Sequence, residues 1–280
     1  MSPIRFEHWE LRVDGADLRV ATAARDGHLA PVVFLHGFGS TKEDYLDAAR
    51  QPALVGHRLL AYDAPGCGET TCEDLSQISI PFLVETARAV LERAGVERFH
   101  LVGHSMGGLT GLLLASAEPD RILSFVDIEG NVAPEDCFLS RQILTHPADD
   151  DEGFLDEFVE RARRSPESSS PLFAASLRHK VRAGAVRGIL SSMVDLSDHG
   201  DLMIAFLSLP CPRTFIYGEE NAALSYLPKL VANGVRTAEI ARSGHWPMYA
   251  NPTDMWDHIA TSVHQAEPAE PVPADPPGGR

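Results

Sequence analysis

The sequence predicts an α/β fold in which helices cover both faces of a mostly parallel sheet. Apolar runs typical of strands alternate along the chain with segments whose apolar residues recur at helical spacing. The run at 31–35 contains no polar residue, as expected for a strand that is buried on both faces. Residues 81–94 place Leu83, Ala87, Val90 and Leu91 at helical spacing, and Gly95 follows as a stop signal. Strands that alternate with helices are joined by crossovers, which makes neighbouring strands parallel.

Local patterns predict the other elements in turn. Residues 7–13 and 17–24 predict a hairpin, because Asp14 and Gly15 between them suit a tight turn. Short runs rich in branched or aromatic side chains predict strands at 58–63, 98–102, 121–128, 213–217 and 237–240. Helical periodicity predicts helices at 109–117 and 252–263.

The alternation stops between Asn131 and Pro210, where only helical patterns remain. They predict helices at 137–144, 153–164, 172–183, 186–196 and 202–209. We therefore predict a helical cap, residues 132–209, inserted into a core of residues 1–131 and 210–264. Residues 265–280 are dominated by Ala, Glu and Pro without apolar periodicity, and there we predict a disordered tail.

The composition limits the partners that this chain can have. Its formal net charge is −16, which disfavours binding of nucleic acid or anionic membranes. No apolar run reaches the ~18 residues of a membrane span, and residues 1–12 lack the apolar centre of a secretory signal. The four cysteines show neither a disulfide framework nor metal-ligand spacing. We expect a cytoplasmic protein, monomeric or homodimeric, that uses no metal and no cofactor.

Ser105 is the predicted nucleophile. The sequence GHSMGG at 103–108 comes directly after one predicted strand and directly before a predicted helix. In that context the pattern G-x-S-x-G indicates a sharp turn that raises the serine Oγ above the sheet. The turn leaves no room for a Cβ atom at Gly103 or Gly107.

His245 is the predicted base. It lies in the sequence SGHWPM at 243–248, between the last predicted strand and the last predicted helix. In a parallel sheet this loop and the turn at Ser105 open at the same edge. His104 and His36 are poorer candidates. The side chain of His104 should point away from the turn at Ser105, and His36 should brace the loop in which it lies.

The carboxylate that orients the base is less directly predicted. Its usual place is the loop after the strand that follows the cap, but Asn221 stands there, and an amide cannot offset imidazolium charge. Glu129, at the end of the strand after the helix that follows Ser105, is the favoured acid. Glu219 or Glu220 is the second choice, and Asp127 is the third.

Two main-chain N–H groups are the predicted donors to an oxyanion. One belongs to Met106, at the start of the helix after Ser105, and the other to Phe38, in the loop after the first buried strand. Gly37 and Gly39 on either side of Phe38 let the main chain approach a substrate closely.

These motifs together resemble those of the α/β-hydrolase superfamily. The matching pieces are HGFG at 36–39, DAPGCG at 63–68, GHSMGG at 103–108 and GH at 244–245, in the family's order. The resemblance covers residues 7–263 and implies the α/β-hydrolase fold, with a mostly parallel eight-stranded sheet and an inserted cap. The sequence at 120–122 followed by Glu129 is similar to zearalenone lactonase and some haloalkane dehalogenases, which place the acid after the family's sixth strand. Dehalogenases and epoxide hydrolases use an aspartate nucleophile, whereas position 105 is serine.

The sequence thus predicts a serine hydrolase that cleaves a small hydrophobic ester or lactone with Ser105, His245 and Glu129. The motifs do not identify the substrate. Hydrolysis of a C–C bond or thioester, perhydrolysis on the same residues, and a ligand-sensing protein without turnover are the alternatives.

Overall fold

A single sheet of nine strands forms the centre of the described part of the chain, residues 2–167 and 169–266 of a computed structural model. The strands are β1 (Arg5–Val13), β2 (Ala16–Arg25), β3 (Leu29–Leu35), β4 (His57–Tyr62), β5 (Thr71–Cys72), β6 (Phe99–His104), β7 (Ile122–Ile128), β8 (Arg213–Gly218) and β9 (Arg236–Ile240). They lie in the order β1-β2-β4-β3-β6-β7-β8-β9, and the short β5 pairs with β2.

Parallel pairing dominates this sheet. β1 with β2 and β2 with β4 are antiparallel, and every later pair along the order is parallel. The prediction of a mostly parallel sheet of about eight strands is confirmed. The predicted hairpin is present as well, since Asp14 and Gly15 connect β1 to β2 with φ values of 48° and 87°.

Nine α-helices occur in the same described residues. They are α1 (Ile80–Arg93), α2 (Met106–Ala117), α3 (Asp151–Arg164), α4 (Ser170–Lys180), α5 (Ala183–His199), α6 (Leu202–Ser208), α7 (Leu227–Ala232), α8 (Pro247–Ala250) and α9 (Pro252–Ala266). Of these, α2 packs on β3, β6 and β7, and α9 packs on β7, β8 and β9. None of the described helices has the length and apolar character needed to cross a bilayer.

The segment between β7 and β8 is helical, as its sequence pattern predicts. It contains α3 to α6 and begins with two 3₁₀ helices, Pro134–Phe138 and Ser140–Thr145. The prediction of one helix over 137–144 is wrong, because the chain leaves helical geometry at Cys137 and starts a new turn after Leu139. We propose the boundaries 132–209 for the cap and residues 1–131 and 210–264 for the core.

The C-terminal boundary differs slightly from the sequence prediction. Helix α9 continues to Ala266, two residues into the tail predicted at 265–280. Its apolar side chains Met255, Trp256, Ile259 and Val263 are buried, which explains why the helix persists. The rest of the predicted tail, 267–280, lies outside the described residues.

An ion cluster centred on the buried side chains of Lys42 and Asp63 anchors the loop that follows β3. The Lys42 side chain is 1% exposed, and its Nζ donates to Asp63 at 2.9 Å and to Glu69 at 3.1 Å. The Asp63 carboxylate also accepts the main-chain N–H groups of Lys42 and Glu69, each at 2.8 Å. The cluster therefore ties the loop that carries Phe38 to the loop that follows β4.

We expect Lys42→Met to destabilise the protein. The substitution keeps the apolar stem but leaves the Asp63 carboxylate buried without its cation, which costs about 3–5 kcal/mol of unfolding free energy. Urea denaturation measures this loss. Lys229→Met is the matched control, because Lys229 is exposed on α7, and it should change the unfolding free energy by less than about 0.5 kcal/mol. Equal effects of the two substitutions would show that the cluster does not stabilise the fold.

Candidate active site

Ser105 lies in the tight turn between β6 and α2. Its backbone has φ 51° and ψ −118°, a conformation that L residues rarely adopt. A Cβ atom at Gly107 would overlap the main-chain carbonyl of Leu35 in β3, so this close approach requires glycine. The strained turn holds Ser105 at the carboxyl edge of the sheet.

His245 reaches Ser105 from the loop between β9 and α8. The His245 Nε2 atom is 3.0 Å from Ser105 Oγ, and both side chains are buried. The two residues are 140 positions apart in the sequence, and they meet because β6 and β9 end at the same edge of the sheet. The distance suits a hydrogen bond along which a proton can move.

Glu129 lies on the other side of the imidazole. Its Oε2 atom is 3.3 Å from His245 Nδ1. It follows β7 with a φ of 51°, and its main-chain N–H donates to the carbonyl of Ile216 in β8 at 2.9 Å. Each ring nitrogen of His245 therefore has one side-chain partner, Ser105 on Nε2 and Glu129 on Nδ1.

The other carboxylates considered from the sequence occupy different places. Glu219 is exposed, and its Oε2 accepts the main-chain N–H of Arg242 at 2.7 Å. Glu220 is also exposed. Asp127 is buried against the first turn of α2, and burial raises the pKa of its carboxyl well above the ordinary value. The structure thus brings Glu129 to the imidazole.

Asn221, at the position where an acid is usual, holds Glu129 in place. Its Nδ2 lies 3.0 Å from Glu129 Oε1 and 2.9 Å from Oε2. The main-chain N–H of Gly218 donates to Oε1 at 2.7 Å. The sequence identified Asn221 as a departure from the usual pattern but gave no sign of this contact.

Phe38 and Met106 border Ser105 from two neighbouring strands. Phe38 follows β3, and its ring lines the space beside Ser105. Met106 is the first residue of α2. Because β3 and β6 pair in parallel with Leu35 opposite Gly103, the two segments leave the sheet side by side.

A cavity opens beside Ser105 and His245. It contains roughly 410 Å³ of empty space, including the part that opens to solvent. Its other polar lining residues are Asp136 and Ser140, and no Lys or Arg of the described chain lines it. Apolar side chains form most of the wall: Phe38, Phe138, Leu139, Phe158, Phe173, Leu190, Met193 and Trp246. The lining suits an apolar group without negative charge.

Phe138 is partly exposed and also contacts His245. The side chain is 51% exposed although it lines the cavity. Its ring stands edge-on to the imidazole of His245, with 5.7 Å between ring centroids. The ring therefore borders both the cavity and the imidazole of His245.

The main chain of His245 has two partners that the sequence did not predict. His104 Nε2 lies 2.8 Å from the His245 carbonyl oxygen, and burial lowers the pKa of His104 well below its ordinary value, so a neutral ring donates here. The carboxylate of Glu167, between α3 and α4, accepts the His245 N–H. Glu167 stands in a serine-rich stretch that carries no catalytic motif, so the sequence contains no signal for this role.

The four cysteines are free, and Cys67, Cys137 and Cys211 are buried. Burial raises the pKa of the Cys67 thiol to about 12, which keeps it protonated. No group of three or more His, Cys, Asp or Glu side chains in this part of the chain is arranged to hold a metal ion.

Asp136 contributes a carboxyl group to the cavity wall. Its Oδ2 accepts the main-chain N–H groups of Val132 and Ala133 at 2.8 Å, and its Oδ1 accepts the Tyr226 hydroxyl at 2.7 Å. Burial outweighs these hydrogen bonds and raises the pKa of Asp136 to about 6. The wall of the cavity therefore changes charge near that pH.

Comparison with known proteins places most of the sequence in one family. The sequence model of the α/β hydrolase family matches residues 32–257. This range includes every residue discussed above as nucleophile, base, acid or oxyanion donor.

Individual relatives match shorter parts of the sequence. The acetyltransferase component of the acetoin cleaving system of Pseudomonas putida is 38% identical over 95 residues, 34% of this chain and 25% of the relative. The pimeloyl-[acyl-carrier protein] methyl ester esterase of Aeromonas salmonicida is 34% identical over 117 residues, 42% of each chain. The chain thus spans less than half the length of these curated relatives.

Solved structures share the fold over nearly the whole chain. A point mutant of the N-acyl homoserine lactonase AidH, complexed with N-hexanoyl homoserine, superimposes with a TM-score of 0.74. The alignment covers 96% of this chain and all of the lactonase at 17% sequence identity. At that identity the likeness establishes the shared architecture.

We expect the contribution of Asp136 to the stability of the protein to fall as the pH rises from about 4 to 6. The unfolded chain releases the Asp136 proton near pH 3.9, whereas the folded chain retains it to about pH 6. In that window the folded state binds more protons, so the free energy of unfolding decreases with rising pH, by about 2 kcal/mol from this group. Asp136→Asn should remove that part of the decrease in urea denaturation at pH 4 and pH 6.5.

The exposed Asp149 provides the control for this comparison. Asp149→Asn should leave the pH dependence of the unfolding free energy as in the wild type. If Asp136→Asn also leaves it unchanged, Asp136 does not titrate in this window.

Proposed function

The chain belongs to the α/β hydrolase family, and we propose that it is a serine hydrolase that cleaves a carboxylic ester or lactone through an acyl-enzyme intermediate. The observation that carries this proposal is the 3.0 Å separation between Ser105 Oγ and His245 Nε2. A serine hydroxyl is a weak nucleophile at neutral pH, and an imidazole at this distance can remove its proton during attack.

The reaction has two halves. In the first, Ser105 Oγ attacks the carbonyl carbon while its proton passes to His245 Nε2, and the same proton then goes to the leaving oxygen. An ester releases its alcohol at this point, whereas a lactone stays joined to the serine as the opened chain. In the second half, His245 takes a proton from water, the water oxygen attacks the acyl carbon, and the proton returns to Ser105 as the acid departs.

Glu129 is the proposed acid of this triad. Its carboxylate beside Nδ1 favours the tautomer that leaves Nε2 free to accept a proton, and it offsets the charge of the imidazolium that forms. The contacts from Gly218 and Asn221 hold the carboxylate at this position.

The main-chain N–H groups of Phe38 and Met106 are the proposed oxyanion donors. Each donor of this kind is worth on the order of 3 kcal/mol of barrier in enzymes that transfer acyl groups. Support comes from the placement of both residues next to Ser105, at the ends of the paired strands β3 and β6.

The proposed substrate is a small, hydrophobic ester or lactone whose acyl group carries no negative charge. The mostly apolar lining of the cavity, which contains no Lys or Arg of the described residues, supports this class. One relative is named for cleavage of a methyl ester and one structural neighbour for a lactone, and both bonds are broken by acyl transfer.

We expect Ser105→Ala to abolish turnover. Loss of the nucleophile should lower kcat for p-nitrophenyl butyrate by about 10⁶-fold and eliminate labelling by a fluorophosphonate probe. Ser116→Ala is the control, because this serine is exposed on α2, and it should leave both signals unchanged.

Three outcomes would argue against an esterase that uses Ser105. Undiminished hydrolysis by Ser105→Ala would reject Ser105 as the nucleophile. Rapid labelling with turnover only of thioesters or 1,3-diketones would indicate another reaction on the same residues. Tight ligand binding with single-turnover acylation would indicate a sensing protein.

We expect Glu129→Gln to lower kcat by about 10⁴-fold, because an amide neither fixes the correct imidazole tautomer nor offsets its charge. The same esterase assay measures the loss. Glu219→Gln and Glu220→Gln are matched controls on the adjacent loop and should keep wild-type turnover. If either control loses as much activity as Glu129→Gln, the acid has been assigned to the wrong residue.

A further inference from the structure

Glu167 reaches the histidine loop from the helical segment between β7 and β8. One carboxylate oxygen, Oε1, accepts the main-chain N–H of His245. The other, Oε2, accepts the hydroxyl of Ser170, the first residue of α4, at 3.1 Å. Both carboxylate oxygens of Glu167 therefore accept hydrogen bonds, and one of the two donors is the main chain of the proposed base, His245.

The close approach of Glu167 depends on the absence of a side chain at Gly244. The three atoms nearest to a Cβ built at Gly244 all belong to the Glu167 side chain, and the Cβ would overlap them. Gly244 is not among the described glycines with positive φ, so its backbone is compatible with alanine. Space for the carboxylate, and not backbone conformation, is what requires glycine here.

With the hydrogen bond to Glu167, every polar group of His245 has a partner. The His245 carbonyl accepts from His104 at 2.8 Å, and its ring contacts Ser105 and Glu129. The next residue, Trp246, stacks on Phe173 of α4 with 4.3 Å between ring centroids. With both main-chain polar groups and both ring nitrogens engaged, the imidazole has one favoured position.

We infer that Glu167 is a positioning residue, whose carboxylate fixes the main chain of His245 so that Nε2 stays within proton-transfer distance of Ser105. The inference rests on the proposed function. Glu167 is not among the described residues that line the cavity, so its loss should change kcat and leave KM nearly unaltered.

Two substitutions at Glu167 separate the hydrogen bond from the charge. We expect Glu167→Ala to lower kcat for p-nitrophenyl butyrate by roughly tenfold to a hundredfold, the usual effect of losing a hydrogen bond to a charged group, with the same loss in the rate of fluorophosphonate labelling. Glu167→Gln should restore most of kcat. Its carbonyl oxygen can accept the His245 N–H, and the Ser170 hydroxyl can accept from its amide.

Glu157→Ala is the control for loss of a carboxylate in the same helical segment, because Glu157 is exposed on α3. It should leave kcat and KM unchanged. Thermal unfolding of each variant shows whether a loss of activity reflects loss of the folded protein.

Gly244→Ala tests the same contact without altering Glu167. The added Cβ should displace the carboxylate and lower kcat about as much as Glu167→Ala does. In the Glu167→Ala background the carboxylate is already absent, so Gly244→Ala should cost little more. If the two losses multiply instead, Gly244 does not act through Glu167 and the inference is overturned.

The labelling experiment also separates this inference from the proposed function. A wild-type protein that is not labelled overturns both. A wild-type protein that is labelled no faster than Glu167→Ala overturns the role of Glu167 alone. The role of Glu167 is also overturned if Glu167→Ala changes only KM, or only lowers the unfolding temperature, and leaves kcat unchanged.

Discussion

The first turn of α2 lies so close to β3 and β6 that Gly103 and Gly107 have no space for side chains. This packing forces the intervening Ser105 into a positive φ and holds it at the carboxyl edge of the sheet. Because the strands from β4 to β9 along the sheet run parallel, the loops with Phe38, Glu129 and His245 open at that same edge. Close packing sets the position of the serine, and the parallel sheet brings its partners to it.

The proposed acid, Glu129, follows β7, whereas Asn221, at the position where an acid is usual, follows the neighbouring strand β8. Neighbouring strands lie about 4.8 Å apart, and β7 and β8 both end near His245. Glutamate is one methylene longer than aspartate, which helps Glu129 reach the imidazole from the more distant of these two strands. An aspartate at position 221 would then have faced Glu129 at about 3 Å with like charge. The amide of Asn221 instead donates to that carboxylate.

The parts of this structure that follow from local pattern could be predicted from the sequence. The alternation of strands and helices, the turn at Ser105 and the loop at His245 all have signals within a few residues. Glu129 was predicted as the acid by exclusion and resemblance, since a carboxylate after a strand has many ordinary roles, and its assignment stays a prediction. The contacts of Glu167 and His104 with the His245 main chain join residues 78 and 141 positions apart, and no local pattern records them. The kink at Cys137 was missed because apolar spacing does not distinguish a continuous helix from two short 3₁₀ turns.

The ring of Phe138 belongs both to the wall of the cavity and to the surroundings of His245. Phe173 is in a similar position, since it lines the cavity and stacks on the residue after His245. Sequence drift that reshapes this wall for a different acyl group would therefore also disturb the imidazole. A substitution that changes which acyl group the cavity accepts should therefore also change the rate of turnover. New substrate preferences should arise through paired substitutions, one in the cavity wall and one among the residues around His245.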